Sequence, residues 1–178
     1  GYSSAASDVY KRQSLGFLYI ANGTFEIYAQ GDGMSAGTYL LIEDGEFSVE
    51  AGGGSENAST QSSTQDFASG RQWETTTVDT SDDTTSTKGL KAVTDLTING
   101  GTFTIDSADD SLHSNGDLSI LGGEFAISSG DDGIHADSAV SISDGTIQIS
   151  QSYEGIEGLS ITIAGGNISL VASDDGLN

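Results

Sequence analysis

The sequence predicts an all-β chain wound into a right-handed parallel β-helix, a solenoid of about 22 residues and three strands per coil. Two observations carry that prediction. A Gly followed two residues later by Phe or Ile recurs at Gly23, Gly45, Gly101, Gly123, Gly145 and Gly166, at intervals of 22, 56, 22, 22 and 21. On both sides of that Gly the apolar residues alternate with polar ones, the period of strands and not of helices. Handedness follows, by analogy, from the right-handed rule for parallel crossovers.

The first strand of a coil is marked by the pairs Leu96 and Ile98, Leu118 and Ile120, Val140 and Ile142, and Ile161 and Ile163. A corner follows, at Asn22-Gly23, Asp44-Gly45, Gly100-Gly101, Gly122-Gly123, Asp144-Gly145 and Gly165-Gly166, where Gly supplies the positive φ that a sharp bend needs. The second strand carries Phe25 and Ile27, Phe47 and Val49, Phe103 and Ile105, Phe125 and Ile127, Ile147 and Ile149, and Ile168 and Leu170. The third is short, with one large inward residue: Met34, Leu90, Leu112, Ile134, Ile156 or Leu177. Stacked coils place equivalent residues about 4.8 Å apart, so the Phe and Ile positions become ladders that fill one interior. A heptad would signal a coiled coil, and the Gly-rich calcium nonapeptide roll needs a shorter period.

The interval of 56 is one repeat of 22 plus an insertion of 34, running from about residue 55 to 87 and dense in Ser, Thr, Asp and Gln. It reads as a surface loop that carries Phe67, Arg71 and Trp73, either a functional contact or a solvated excursion. At the other extreme of the chain, Asp8 to Gln13 (Asp-Val-Tyr-Lys-Arg-Gln) resembles the translated end of a transposon adapter used in building sequencing libraries. Residues 1–13 are therefore expected to be a non-native leader, and 14–178 a fragment of a longer β-helix with neighbouring domains.

Charge narrows the partners. The 178 residues include 27 Asp plus Glu against 5 Lys plus Arg, a formal net charge of -22. Such a chain repels nucleic-acid phosphates and anionic bilayers, and no apolar run approaches the ~20 residues that insert in a membrane. With no Cys there is no disulfide framework, thiolate zinc site or thiol nucleophile.

The acids are themselves in register. Nine positions after each corner Gly stand Asp32, Asp110, Asp132, Glu154 and Asp175, with Lys88 in the equivalent place after the insertion. One position earlier are Asp109, Asp131 and Asp174; the twelfth position holds Ser35, Lys91, His113, His135, Glu157 and Asn178, and the fourteenth adds Asn115 and Asp137. Two carboxylates about 4.8 Å apart repel by roughly 3 kcal/mol at an effective dielectric of 20, so an acidic ladder needs counter-ions. Calcium suits oxygens from successive coils better than magnesium, which demands a regular octahedron. The competing reading is turn duty, since Asp tolerates left-handed backbone and caps its own turn.

His113 and His135, one coil apart, are expected to be exposed and too few for a transition-metal site; they either stack or donate hydrogen bonds to a ligand along the edge. Phe25, Phe47, Phe103 and Phe125 belong to the core by parity. Tyr19, Tyr28, Tyr39, Tyr153 and Trp73 point outward and are candidates for stacking on sugar rings.

Three linked motifs carry a resemblance: Gly122-Gly123-Glu124-Phe125, then Ser129-Gly130-Asp131-Asp132-Gly133-Ile134-His135-Ala136-Asp137, then Val140-Ser141-Ile142. Together they resemble the carbohydrate-binding β-helix domains of cellulolytic bacteria, and Lys88-Gly89-Leu90-Lys91-Ala92 is similar to that family's lead-in to its regular coils. The resemblance, covering roughly residues 15 to 178, implies a pectate-lyase-like β-helix, calcium in the acidic turns, extracellular or cell-surface display, and binding of cellulose or acidic plant polysaccharide. Carried over by motif, calcium falls on the pairs Asp109-Asp110, Asp131-Asp132 and Asp174-Asp175. Glu154 departs from the pattern because Tyr153 replaces its first acid.

Three functions are thus open. A non-catalytic module would bind a repetitive polysaccharide on a repetitive edge, with Lys88, Lys91, His113, His135, Tyr153 and Trp73 as sugar contacts and the acids, including Asp137 and Glu157, as calcium ligands. A calcium-dependent pectate-type lyase would use Arg71, Lys88 or Lys91 as its base, against neighbouring carboxylates that keep a lysine protonated. A structural spacer or adhesin would need neither.

Overall fold

The computed structural model describes residues 16–58 and 86–178, and every strand pairing in it is parallel. Each coil has three strand positions. The first is occupied by β1 (Leu18–Ile20), β4 (Leu40–Ile42), β7 (Leu96–Ile98) and β10 (Leu118–Ile120). The second is occupied by β2 (Thr24–Ala29), β5 (Glu46–Ala51), β8 (Thr102–Ser107), β11 (Glu124–Ser129), β13 (Thr146–Gln151) and β15 (Asn167–Leu170), which form one six-stranded sheet. The third holds β3 (Met34–Ala36), β6 (Leu90–Ala92) and β9 (Leu112–Ser114).

In the last coils the third strand of one coil runs without a break into the first strand of the next, giving β12 (Ile134–Ile142) and β14 (Ile156–Ile163). The expected three separate strands are therefore two segments there. The register slips between Ala136 and Ala139, so the coil absorbs its missing residue inside a continuous strand and not at a corner.

Like residues stack on like. Phe25, Phe47, Phe103 and Phe125 pair in register, with ring centroids 4.9, 4.6 and 4.7 Å apart and planes within 4° of parallel. That separation is the strand spacing itself, so the parallel stack is imposed by the ladder. The offset of 56 residues between Phe47 and Phe103 leaves the ladder intact, and the insertion leaves the solenoid between β5 and β6. Its first residues make a 3₁₀ turn, Ser55–Asn57, docked on later coils: the Ser55 N–H donates to Asp106 Oδ1 at 2.7 Å, and its hydroxyl meets that of Ser128 at 2.8 Å. Residues 59–85, and with them Phe67, Arg71 and Trp73, lie outside the described residues, as does the leader 1–13.

The corner glycines have φ between 98° and 148°, as their place in the sequence predicts. At Gly101 a Cβ would also meet the Gly45 carbonyl oxygen at 2.9 Å. Among the described residues no helix is long and apolar enough to cross a membrane.

Candidate functional site

The turn between the second and third strand positions gathers the ionisable residues. Its logic is a staple. One oxygen of each inner acid accepts the backbone N–H of the equivalent residue one coil on: Asp32 Oδ1 from Lys88 at 3.0 Å, Asp110 Oδ1 from Asp132 at 3.1 Å, and Asp132 Oδ1 from Glu154 at 3.2 Å. A turn N–H that would otherwise be buried without a partner is thereby satisfied by a charged acceptor. Asp110, Asp132 and Glu154 are accordingly buried.

The second oxygen takes a cation or an imidazole. Asp110 Oδ2 is 2.7 Å from Lys88 Nζ and 2.7 Å from His113 Nδ1, and Lys88 Nζ also reaches Asp109 Oδ1 at 2.9 Å. Asp132 Oδ2 is 3.0 Å from His135 Nδ1, which lies 2.6 Å from Glu157 Oε2, while His135 Nε2 is 3.1 Å from Asp137 Oδ1. The two imidazoles stack at 4.9 Å. Lys91 instead reaches Ser86 Oγ at 3.1 Å and Asp32 Oδ2 at 3.7 Å, not Asp109 or Asp110.

Titration follows this geometry. Burial alone would raise Asp110, but the His113 hydrogen bond and the Lys88 ammonium outweigh it and hold the carboxyl at about 2. Asp131 has no such partner: burial, with the charges of Asp132, Asp110 and Asp109, pushes it up to about 6. The hydrogen bond that protonated Glu157 donates to Asp132, with burial, raises Glu157 to about 7, and the hydrogen bond that His135 donates to Asp132 raises His135 to about 9 against the cost of its burial. Burial would lower Lys88, yet Asp110 and Asp109 reverse it and the net shift is upward, so the ammonium is held protonated, the wrong state for a base.

Three expectations need correction. His113 is buried, not exposed, because its ring is closed in by Asp110 on one side and His135 on the other. The acids do not use left-handed backbone: among the described residues no residue other than Gly has positive φ. The Gly of Asp131-Asp132-Gly133 is needed instead for close approach, since a Cβ there would sit 2.6 Å from Ile149 Cδ1 and 2.7 Å from the Gly155 carbonyl oxygen. Finally, the counter-ions of the middle coils are supplied in part by the chain itself, as Lys88 and His135, and the His113 imidazole hydrogen-bonds Asp110 beside them.

The structure brings together Asp109, Asp110 and Asp131, whose carboxylate oxygens lie within 4.8 Å of one another, and likewise Asp132, His135 and Glu157. It leaves Asp174 and Asp175 exposed at the last coil, linked to the ladder by backbone hydrogen bonds, Asp174 N to the Tyr153 carbonyl at 2.9 Å and Gly155 N to the Asp175 carbonyl at 3.0 Å. Tyr153 is half exposed on this edge, and Tyr19, Tyr28 and Tyr39 are exposed at the first two coils. Sequence reasoning missed the hydroxyl ties beneath the turn, Ser107 to the Asp109 carbonyl and Ser129 to the Asp109 and Asp132 carbonyls, each at 2.8 Å. It also missed a second Asp staple at another corner, Asp95 to the Asp117 N–H and Asp117 to the Ala139 N–H. Their recurrence at one-coil intervals was the available signal.

No curated protein and no solved structure matches the chain. A family model does, over residues 3–133, and its description is carbohydrate-binding domain-containing protein. That span is well over half of the sequence and includes the first acidic turns, so the chain belongs to this family of carbohydrate-binding domain-containing proteins.

Proposed function

We propose that the polar edge binds plant cell-wall polysaccharide, cellulose or acidic pectin-type chains, outside the cell and without chemistry on the bound chain. The observation that carries this reading, beside the family, is the in-register stacking: successive coils repeat the same polar positions at strand spacing, so a linear polymer meets equivalent groups at each step. Tyr153 offers an exposed ring and the half-buried His135 an imidazole along that edge.

Calcium would be held by Asp109, Asp110 and Asp131. Their donors are all carboxylate oxygens, as calcium prefers, and Asp131 has no ammonium or imidazole of its own in the described structure. When bound, calcium would bridge the edge to uronate carboxylates that a bare charge of -22 repels. Lys88 is its internal competitor on Asp109 and Asp110.

Depletion of the chain by insoluble cellulose, and its retardation in gels containing polygalacturonate, test the reading with calcium and with chelator. Binding to cellulose in both conditions, or to polygalacturonate only with calcium, supports it. Binding to neither overturns it in favour of a spacer, and unsaturated uronate absorbance on incubation would favour a lyase.

A further inference from the structure

We infer that neutral β-glucan chains, cellulose among them, bind a second surface: the outer face of the sheet formed by β1, β4, β7, β10 and the ends of β12 and β14, along a row of uncharged side chains. The inference rests on the reading that the chain binds polysaccharide, and divides that binding between a face for neutral polymer and an edge for uronates. In register across the sheet stand Tyr19, Leu41, Thr97, Ser119, Ser141 and Thr162. They alternate with the core residues of the same strands, so all six face outward, and each is at least partly exposed.

Charge sets this row apart. The chain has a formal net charge of -22, yet none of the six is charged at neutral pH. The six-stranded sheet makes the contrast, since its outward rows hold Glu26, Glu46, Glu50, Asp106 and Glu124. The acids that border the row are tied down: Glu43 accepts from Asn99 Nδ2 at 2.6 Å, and Asp95 and Asp117 each accept an N–H of the next coil, at 2.9 and 3.1 Å. An uncharged surface on so acidic a chain favours an uncharged ligand, whereas a uronate would find no cation here to offset its repulsion.

The chemistry of the row matches such a ligand along its length. At the first two coils Phe17, Tyr19 and Tyr39 are each about half exposed, and the Phe17 and Tyr19 rings lie 10° from parallel with centroids 6.2 Å apart. Tyr39 takes the place beside Phe17 in the next coil, because Leu18 pairs with Leu40. A β-linked glucose ring carries its hydroxyls around its rim and C–H bonds on its faces, so an aromatic ring covers a face while a phenol hydroxyl reaches the rim. From the third coil onward the row becomes Thr97, Ser119, Ser141 and Thr162, hydroxyls that both donate and accept and that recur at strand spacing. A polymer lying along the stack meets aromatic support at one end and a hydroxyl at every further coil. A second copy of the chain fits less well, because the aromatic part spans only two coils and self-association would bring two highly acidic chains together.

The test is depletion of the full chain by insoluble cellulose in chelator, with circular dichroism as the folding check. Tyr19→Ala and Tyr39→Ala should each weaken binding by about fivefold. Ser119→Glu, which puts a charge in the middle of the row, should weaken it by about tenfold. Gln148→Glu adds the same charge to the outside of the six-stranded sheet and should leave depletion unchanged. Cellohexaose added to the unaltered chain gives a readout free of variants: the amide resonances of Thr97, Ser119 and Ser141 should move, and those of Asp131 and Asp132 should not. Cellulose binding that Tyr19→Ala and Ser119→Glu leave unmoved, or cellohexaose shifts centred on the acidic turns, would overturn the sheet face while polysaccharide binding by the edge stands. Binding to polygalacturonate alone does the same, and a dimer in sedimentation that Tyr19→Ala dissolves would assign the face to a second copy. Binding to neither polymer removes the site together with the reading it rests on.

Discussion

The interior and the acidic edge obey the same rule of register and reach opposite electrostatic outcomes. In the interior, stacking like on like puts Phe47 on Phe103 on Phe125, and each added coil improves the packing. On the edge the same repetition puts Asp110 below Asp132 below Glu154, and each added coil worsens the charge. The edge survives by breaking its own repeat: Lys88 stands where an acid would, His113 and His135 alternate with the acids, and each carboxylate is tied to the next coil's N–H. Apolar ladders tolerate perfect repetition; ionic ladders need a cation from within or from outside.

The comparison can be broken at either side. Phe103→Ala removes the most buried rung of the aromatic ladder and should cost about 3–5 kcal/mol, seen as a lower urea midpoint. Asp110→Ala strips the acceptor from Lys88, His113 and the Asp132 N–H at once, and should cost about 3 kcal/mol. Pairing it with Lys88→Met should recover part of that loss, because the largely buried ammonium, left with Asp109 alone, is then removed.

Acidity sharpens the contrast between compensated and uncompensated acids. Asp131 and Glu157 are raised above their ordinary values, so the stability they contribute is full below those values and is lost as pH rises through about 6 and about 7. His135, also raised, contributes below its ordinary value and loses that contribution as pH rises through about 9. Asp110, depressed, contributes above its ordinary value and loses it only as pH falls through about 2. The chelated protein should therefore melt at a falling temperature from pH 5 to pH 9, by scanning calorimetry. The smallest structural effect is expected at Tyr153→Ala, within about 0.5 kcal/mol in stability, while polysaccharide retardation weakens.

The coil, its corners and its core were legible because register repeats every physical requirement: Gly101 recurs as Gly123, and Phe103 as Phe125. The rows of the acidic edge were legible for the same reason. What the rows do to one another was not. His113 looked exposed because parity along a strand says nothing about a lysine and two acids folding over a turn, and the Asp-Gly turn looked left-handed because its Gly is needed for space against Ile149 and not for φ. The merging of β12 leaves no mark in the sequence, because a one-residue slip inside a strand keeps the alternation on either side unchanged.

Calcium-dependent melting of the chelator-treated chain, beside Asp131→Asn, tests most directly whether the edge takes up a cation from outside. At calcium concentrations near 100 times its dissociation constant, the unaltered chain should gain about 2.7 kcal/mol and melt higher, and Asp131→Asn should gain far less. A melting temperature that does not move with calcium, or that moves equally in both proteins, would contradict the account.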